Sequence, residues 1–393
     1  MIKTWRWFDK KDGVSLSDIR EIDVNKVVSS LTQVPYGALW TNELIKEKQE
    51  YIKSQGCEWH IVESIPVHED IKTRTGHYKF YIENYKKSLE NLASAGISIV
   101  CYNFMPLMDW SRTDLNRRLE KGVYTISFDF IAFIAFDLFI LKRKEAHNDY
   151  TPEENIKALQ YFEKMTADEI AQLTSNIIDN LPGTNEGYSL DEFKVSLNKY
   201  EDIDAKKLKE HLALFLQEVI PVAEKNGIKM CIHPDDPPFS LLGLPRIVSN
   251  QEDIQYIYDA VDSSSNGLTF CSGSLGVIES NNLPAIFKAF ADRIHFIHLR
   301  STQRETGRSF YEANHLTGDV DMYELVKLIL VEEKRRFEAG RTDHQIPMRP
   351  DHGYLMNSDV GKKFYPGYGF IGRMKGLAEL TGLELGIKKS LNL

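Results

Sequence analysis

The stretch IHFIHLR, residues 294–300, is a short run of apolar, β-branched and aromatic side chains that is typical of a buried strand. Seven similar runs occur along the chain, and helical patterns separate most of them. Alternating strands and helices predict a parallel sheet, either a closed (β/α)8 barrel or an open doubly wound sheet. The eight predicted strands are residues 3–8, 33–40, 58–64, 97–104, 228–233, 268–273, 294–300 and 346–351.

A missing glycine motif separates these two folds. No GxGxxG follows the first predicted strand, although that motif forms the phosphate-binding turn of dinucleotide-binding open sheets. The sequence therefore predicts an α/β protein with a (β/α)8 TIM barrel.

The chain is longer than a plain barrel requires, and the surplus lies in one place. Such a barrel needs about 250 residues, whereas this chain has 393. Between Phe104 and Ile228 there are several helical patterns and no convincing strand. We predict a single domain, residues 1–393, with a helical insertion at about 110–225 after the fourth strand. We interpret the insertion as a cap over the barrel mouth, and a decoration on the outside is the alternative.

Composition and charge exclude several classes of protein. The chain carries 48 basic and 57 acidic residues, a net charge of −9, which disfavours binding to a nucleic-acid backbone. No apolar run approaches the roughly 18 residues of a membrane span. The four cysteines form no CxxC motif, which favours a reducing compartment. We expect a cytoplasmic protein that binds neither nucleic acid nor membrane. We also expect a homodimer, which is the commonest oligomeric state among soluble oligomers.

Four successive strands end in a side chain that can bind a metal ion. The C-terminal ends of parallel strands meet at one rim of a barrel, where active sites lie. Nitrogen, sulfur and oxygen donors at that rim suit a divalent transition metal. Each residue alone is more often part of a core, so the prediction rests on their equivalent positions. The four are His233, Cys271, His298 and Asp351.

The two-residue period of a strand decides between neighbouring candidates. His295 and His298 face opposite sides of their strand, and His298 lies nearer its end. We therefore assign His298 as the ligand and His295 as a structural residue. Cys231 shares a face with His233 but lies deeper, so we expect it to pack in the barrel.

Other polar side chains near the predicted mouth are candidates for chemistry. His352 follows Asp351 and can reach the mouth if the chain turns at Gly353. Tyr368 lies in a Pro-Gly turn within YPGYGFIGRMKG, residues 365–376, and a packed lid residue is the alternative. Five residues that can clamp a carboxylate or hydroxyls, each equally compatible with a surface or ion-pair role, are Arg6, Asn103, Arg300, His315 and Arg373.

Seven longer stretches are distinctive: TWRWF (4–8), CYNFMPLMDWSRTDL (101–115), IHPDDPP (232–238), RIHFIHLRS (293–301), EANHLTGDVDMYEL (312–325), MRPDHG (348–353) and PGYGFIGRMKGL (366–377). Together they resemble the mannonate dehydratase family, in the family's order over nearly the whole chain. The resemblance implies a xylose-isomerase-like barrel with a helical insertion. It also implies dehydration of D-mannonate to 2-dehydro-3-deoxy-D-gluconate in hexuronate (glucuronate) breakdown, with Mn²⁺ or Fe²⁺.

The resemblance also implies roles for individual residues. Its metal ligands fall on the four residues at the strand ends, and its catalytic residues fall on Tyr368 within PGY and His352 within DHG. Loss of water from a sugar acid needs a base for the C2 proton and an acid for the departing 3-hydroxyl. We assign His352 as the base and Tyr368 as the acid, and the reverse assignment is the alternative.

Three other functions compete with this one. A metal-dependent sugar isomerase or epimerase on the same barrel is the nearest, although such sites favour carboxylate ligands over a cysteine. Hydrolysis of nucleic-acid phosphodiesters is disfavoured by the charge of −9. A binding protein with a structural zinc would also use four protein ligands, but it would not require His352, Tyr368 and Arg373 beside them.

Overall fold

The computed structural model describes residues 1–178 and 189–392. Its main sheet is entirely parallel, and the first barrel strand is divided at Thr4 into two short segments that pair with different neighbours. The sheet comprises β1 (Ile2–Lys3), β2 (Trp5–Arg6), β3 (Lys26–Ser29), β4 (Glu58–Glu63), β5 (Ile99–Tyr102), β8 (Lys229–Ile232), β9 (Asn266–Cys271), β10 (Ile294–Leu299) and β13 (Pro347–Pro350).

The two halves of the first strand close the barrel. β1 pairs with β13 and β2 pairs with β3, so the sheet has no free edge between its first and last strands. The remaining strands follow in the order β13, β10, β9, β8, β5, β4, β3. The prediction of an α/β fold with a (β/α)8 TIM barrel is therefore confirmed.

Helices connect the strands. Polar N-cap side chains begin most of them; for example, Asp204 accepts a hydrogen bond from the amide of Lys207 at the start of the long helix that leads into β8. The α-helices are α1 (Leu16–Glu21), α2 (Asn42–Ser54), α3 (Glu69–Thr73), α4 (Tyr78–Ser94), α5 (Phe130–Ala135), α6 (Pro152–Phe162), α7 (Ala167–Ile178), α8 (Leu190–Asn198), α9 (Ala205–Lys225), α10 (Gln251–Ala260), α11 (Ser272–Gly276), α12 (Leu283–Phe290), α13 (Met322–Glu338) and α14 (Phe370–Leu391).

Alternation along β10 shows how the strands divide the core. Phe296 packs in a small buried cluster with Val28, Ile61 and Cys101, which lie on β3, β4 and β5. The adjacent Ile297 belongs to the larger core that includes the helices. Side chains two residues apart share a face of a strand, so His298 lies on the same face as Phe296, as the sequence predicts.

The second predicted strand is misplaced. Residues 33–40 form turns, and the strand in this position is β3, which ends at Ser29. Gly37 adopts a positive φ of 76°, and Pro35 has no amide hydrogen for a ladder, so this stretch is unsuited to an inner strand. Because β3 has only four residues, its strand pattern was weaker than the apolar pattern of residues 33–40.

The long segment after β5 begins with a hairpin, which corrects the expectation that residues 104–228 hold no strand. β6 (Asp114–Arg118) and β7 (Tyr124–Phe128) are antiparallel. β7 also pairs with β12 (Phe310–Glu312), which in turn pairs with β11 (Thr302–Arg304). β6 is polar with its alternate residues exposed, and β12 lies far away in sequence, so no local pattern identified this sheet. The helices α5 to α9 follow the hairpin.

Within the described ranges 1–178 and 189–392, no helix combines the length and apolar content that a membrane span requires.

Candidate metal centre and its cavity

Three side chains at neighbouring strand ends form a compact cluster of metal-binding atoms. His233 directly follows β8, Cys271 ends β9, and His298 lies near the end of β10. Cys271 and His298 are direct partners in the sheet register. One ligand atom from each of the three lies within 4.8 Å of the others, and Nε2 of His233 is 3.1 Å from Nδ1 of His298. These residues are brought together as the strand pattern predicts.

The charges within this cluster favour a metal-binding thiolate. Burial by itself would raise the pKa of Cys271, but hydrogen bonds from His233 and His298 lower it well below its usual value. Burial also opposes a proton on His233, yet the neighbouring Cys271 raises its pKa to about 9. The deprotonated thiol is the form that binds metals. A bound metal would displace the proton from His233, and two imidazoles and a thiolate then make a donor set that fits a divalent transition metal.

A second observation supports that fit. Nε2 of His298 is buried and has no hydrogen-bond partner among the described residues, and Oε2 of Glu63 lies 3.5 Å from it. Buried polar atoms in proteins are nearly always paired. A buried imidazole nitrogen that faces a carboxylate, within the cluster that contains Cys271, is an arrangement that an ion would complete.

Asp351 is at the same rim but is not part of the three-residue cluster. Its carboxylate accepts a hydrogen bond from Arg349, and the hydroxyl of Tyr368 lies 3.2 Å from Oδ1. Arg349 also donates to Oε1 of Glu63 at 2.8 Å, so it bridges two carboxylates. The structure therefore brings together three of the four predicted ligands, while the fourth is engaged by an arginine that lies two residues earlier on the same strand.

His352 and Tyr368 form a buried pair beside the cluster. Nε2 of His352 lies 3.2 Å from the Tyr368 hydroxyl, and the two rings meet edge to face. Gly353 lets the chain pass close to α14, since a Cβ at this position would lie 2.7 Å from the backbone of Gly372. Burial and the charge of Asp351 raise the pKa of Tyr368, which keeps the phenol protonated at neutral pH.

A buried network of four charges closes one side of the site. Arg300 donates to Asp236 at 2.5 Å and, through two nitrogens, to Glu312 at 2.7 Å each. Arg112 from the segment before β6 donates to the same two carboxylates at 2.9 and 2.8 Å. Burial acts against ionised carboxylates, but the arginines outweigh it and hold the pKa of Glu312 at about 2. Arg300 is also 4.0 Å from the sulfur of Cys271.

Residues 1–392 match the sequence model of the family described as D-mannonate dehydratase (UxuA). The chain belongs to this family. A mannonate dehydratase from Marinomonas sp. (strain MWYL1) is 49% identical over 392 residues, which covers 100% of both chains. One from Rhizobium meliloti (strain 1021) is 48% identical over 98% of this chain and 96% of its own. The crystal structure of mannonate dehydratase from Streptococcus suis serotype 2 is 31% identical, with a TM-score of 0.77 over 100% of this chain and 95% of that chain.

Three of the five predicted substrate-binding residues line the cavity of this mannonate dehydratase family member, and two lie behind it. Arg6, Asn103 and Arg300 face the cavity together with His352 and Tyr368. The remaining two are not among the residues that line it.

Arg373 and His315 are the two that lie behind the cavity wall. The Arg373 guanidinium stacks on Trp5 and donates to the backbone carbonyls of Arg6 and Tyr368 at 3.0 Å. His315 is packed against Gly376 of α14, and burial lowers its pKa to about 4.

Several residues in the cavity wall were missed by the sequence reasoning. Glu63 ends β4, and the rule that selected the four ligands would have found it if applied to the earlier strands. Asp109 and Trp110 come from the start of the insertion, and burial raises the pKa of Asp109. Both lie in the connection between β5 and β6, before the hairpin, and the strand-end rule was not extended to that connection.

The structure also locates the residues that were assigned to packing. His295 is buried at the start of β10 and interacts through Nε2 with the carbonyl of Ser264 at 2.9 Å, on the other face of the strand from His298. Cys231 is fully buried, and burial raises the pKa of its thiol. Neither belongs to the metal-binding cluster.

Proposed function

We propose that this chain dehydrates D-mannonate to 2-dehydro-3-deoxy-D-gluconate, with Mn²⁺ or Fe²⁺ as its metal. The observation that carries the proposal is the pairing of His352 with Tyr368, at 3.2 Å, beside a cluster of two histidines and a thiolate. A purely structural metal would need no buried acid–base pair next to it. The match to the dehydratase family over residues 1–392 supports the same reaction.

His233, Cys271 and His298 would hold the metal, and Asp351 is proposed as an oxygen donor at the same rim. When bound, a divalent ion supplies positive charge that offsets the negative charge developing next to the substrate carboxylate as C2 loses its proton. Cys271, His298 and Asp351 are buried and His233 is partly buried, and low solvent exposure strengthens that electrostatic effect.

The proton transfers are assigned to His352 and Tyr368. Nε2 of His352 takes the C2 proton, and the Tyr368 hydroxyl protonates the 3-hydroxyl, which leaves as water. Burial and the charge of Asp351 raise the pKa of Tyr368, so its hydroxyl still carries the proton when the substrate binds. Its hydroxyl lies 3.2 Å from both Asp351 and His352, so either residue can hold it in place before substrate arrives. The resulting enol then becomes the 2-keto acid.

Substrate contacts are assigned to polar side chains that line the cavity. We propose that Arg6 and Asn103 bind the carboxylate or hydroxyls of the sugar acid. Arg300 is occupied by Asp236 and Glu312, so it contributes positive charge to this wall. We assign Arg373 and His315 supporting roles behind the cavity wall. Arg373 supports Tyr368 by donating a hydrogen bond to its backbone carbonyl.

The cytoplasmic location and the homodimer stay predictions. Large apolar side chains are exposed on the last two helices, for example Phe337 at 67% and Leu385 at 55%. A dimer that packs these helices against a second copy of the chain would bury such a surface. Light scattering on the purified protein measures the oligomeric state directly.

The experiment that tests this function is an assay of purified, metal-loaded protein with a panel of aldonic acids, including D-mannonate and its C2 epimer D-gluconate. We expect a 2-keto-3-deoxy acid from D-mannonate, loss of that activity with a chelator, and its recovery with Mn²⁺ or Fe²⁺. A product of unchanged elemental composition would identify a sugar isomerase or epimerase instead. No product from any acid, with metal bound at one equivalent, would favour a binding protein.

A further inference from the structure

We propose that Glu312 is a positioning residue for His352, holding the imidazole so that Nε2 faces Tyr368 and the cavity. This inference deepens the proposed function and rests on it, since it assumes that His352 is the base. Glu312 lies at the end of β12, 40 positions before His352 in the chain. Nothing in its local sequence marks it as part of an active site.

The two ring nitrogens of His352 have different neighbours. Nδ1 lies 3.4 Å from Oε1 of Glu312, while Nε2 lies 3.2 Å from the hydroxyl of Tyr368. Nδ1 is buried and makes no hydrogen bond of standard geometry among the described residues, and the Glu312 carboxylate is the acidic group that faces it. A carboxylate at this nitrogen favours the tautomer with its proton on Nδ1. That tautomer leaves the lone pair on Nε2, on the side where the C2 proton must be taken.

The Glu312 carboxylate is itself held rigidly. Arg300 binds both of its oxygens at 2.7 Å, and Arg112 binds Oε1 at 2.8 Å. The hydroxyl of Thr125 in β7 donates to the backbone carbonyl of Glu312 at 2.8 Å. Glu312 is fully buried, so no solvent competes for the carboxylate. In this arrangement His352 is the base, Glu312 is the carboxylate that orients it, and the two arginines fix Glu312. Catalytic bases are commonly oriented by a third group in this way.

The arrangement gives the segment after β5 a part in the chemistry. Arg112 and Thr125 both come from that segment, whereas Glu312 follows β10 and His352 follows β13. The orientation of His352 therefore depends on contacts that the insertion completes when it folds over the mouth. A plain barrel without this hairpin would hold Glu312 by Arg300 alone.

Replacing Glu312 by Gln tests the proposal, because Gln keeps the shape and removes the charge. Loss of an effective general base costs about 10² to 10⁴ in rate. We expect the kcat of Glu312→Gln to fall by at least about 10²-fold within that range, with KM and bound metal changed less than threefold. The matched control is Glu332→Gln, which removes a buried glutamate from an arginine network with Arg336 near the opposite end of β10. This control should retain normal turnover.

A double-mutant cycle separates positioning from mere structural support. If Glu312 acts through His352, then Glu312→Gln should cost almost nothing further in a protein that already carries His352→Gln. Equal, additive losses in kcat in both backgrounds would overturn the proposal. Normal kcat in the single Glu312→Gln variant would overturn it as well.

A measurement independent of turnover distinguishes this inference from the proposed function. In zinc-loaded protein labelled with ¹⁵N-histidine, the His352 ring should show a protonated Nδ1 and an unprotonated Nε2, assigned by loss of those signals in His352→Gln. Glu312→Gln should alter this tautomer and Glu332→Gln should not. If Glu312→Gln alters the tautomer of His352 but the wild-type protein does not dehydrate D-mannonate, the reaction assignment fails and the positioning role stands. An unchanged tautomer in Glu312→Gln contradicts the positioning role, whatever the substrate.

Discussion

The hydroxyl of Tyr368 lies 3.2 Å from Nε2 of His352, and both side chains are at least nine-tenths buried. The two residues come from different elements, since His352 follows the last barrel strand and Tyr368 lies just before α14. Gly367, with a φ of +79°, makes the turn that brings the tyrosine to the histidine. A hydroxyl and an imidazole at this distance can contact one substrate without a large movement of either side chain.

Tyr368→Phe should remove the acid and keep the ring. We expect kcat to fall by about 10² to 10⁴, with KM and metal content nearly unchanged, because the lost interaction forms mainly in the transition state. Steady-state kinetics with D-mannonate measure both constants. Near-normal turnover would show that Tyr368 only packs in the site, and it would leave His352 as the remaining acid–base candidate of this pair.

The metal assignment predicts a difference between cysteines. Cys271→Ser and His298→Ala should each lose bound metal and activity, because their atoms belong to the three-residue cluster. Cys231→Ala should keep one metal per chain and cost roughly 1 kcal/mol of stability through lost packing. Elemental analysis after dialysis gives the metal content. Full metal content in both cluster variants would contradict the assignment.

Asp351→Ala tests the proposed fourth ligand separately. We expect weaker metal binding and lost activity, because the substitution removes the proposed oxygen donor and leaves the buried Arg349 with Glu63 alone. Metal titration of the dialysed protein measures the affinity. Wild-type affinity in this variant would restrict the protein ligands to the other three residues.

Two arginines of the insertion should differ strongly in their contribution to stability. Arg112 is buried between Asp236 and Glu312, so Arg112→Ala leaves two carboxylates to share Arg300 and should cost about 3–5 kcal/mol. Arg117 in β6 pairs with the partly exposed Glu305, which follows β11, and Arg117→Ala should cost about 1 kcal/mol or less. Urea unfolding followed by fluorescence compares them. Similar costs would show that the buried network is not what holds the hairpin.

Two glycines of α14 provide a matched pair. A Cβ on Gly376 would lie 2.2 Å from Nδ1 of the buried His315, whereas a Cβ on Gly382 meets nothing within 4 Å. Gly382→Ala should stabilise the helix by about 0.5–1 kcal/mol, because alanine loses less backbone freedom on folding. Gly376→Ala should instead destabilise the protein and displace His315. Thermal unfolding measures both, and stabilisation by both substitutions would contradict the close approach.

Stability should decline on acidification because of His295. Burial, followed by the charges of Lys229 and Arg336, lowers the pKa of His295 to about 3, below an ordinary value of about 6.5. Between these values the unfolded chain binds the proton and the folded protein does not. The contribution of His295 to the free energy of unfolding is therefore fully present above about pH 6.5. It is lost at about 1.4 kcal/mol per pH unit as the pH falls toward 3.

His295→Gln should show a shallower decline in the free energy of unfolding between pH 6.5 and 5 than the wild-type protein. The amide of Gln can still donate to the carbonyl of Ser264, but it does not titrate. The exposed His147→Gln serves as the control and should leave the pH dependence as it was. An unchanged slope in His295→Gln would contradict the buried, neutral state of His295.

Much of the metal site followed from local sequence pattern. Side chains alternate along a strand, and the C-terminal ends of parallel strands meet at one rim, so His233, Cys271 and His298 were expected to converge. The same alternation placed His295 on the opposite face, where it interacts with Ser264. These inferences succeed because they depend on the geometry of single strands and on the regular register of a barrel.

The environment around those residues was decided by tertiary structure. Asp351 was placed at the correct rim, but its engagement with Arg349 and Tyr368 depends on side-chain directions beyond the end of the strand. The second strand was misplaced because β3 is only four residues long. The hairpin of the insertion was missed because β7 pairs with β12, far away in the chain.

The sequence by itself determined the barrel, three converging residues that can hold a metal ion and the presence of a histidine and a tyrosine near the mouth. Only the tertiary structure decided that Glu312 lies against Nδ1 of His352 and that Arg112 holds Glu312 in place. Local periodicity specifies which face of an element a residue occupies. Contacts between loops depend instead on how distant segments pack, and a buried charge is placed by the partners that compensate it.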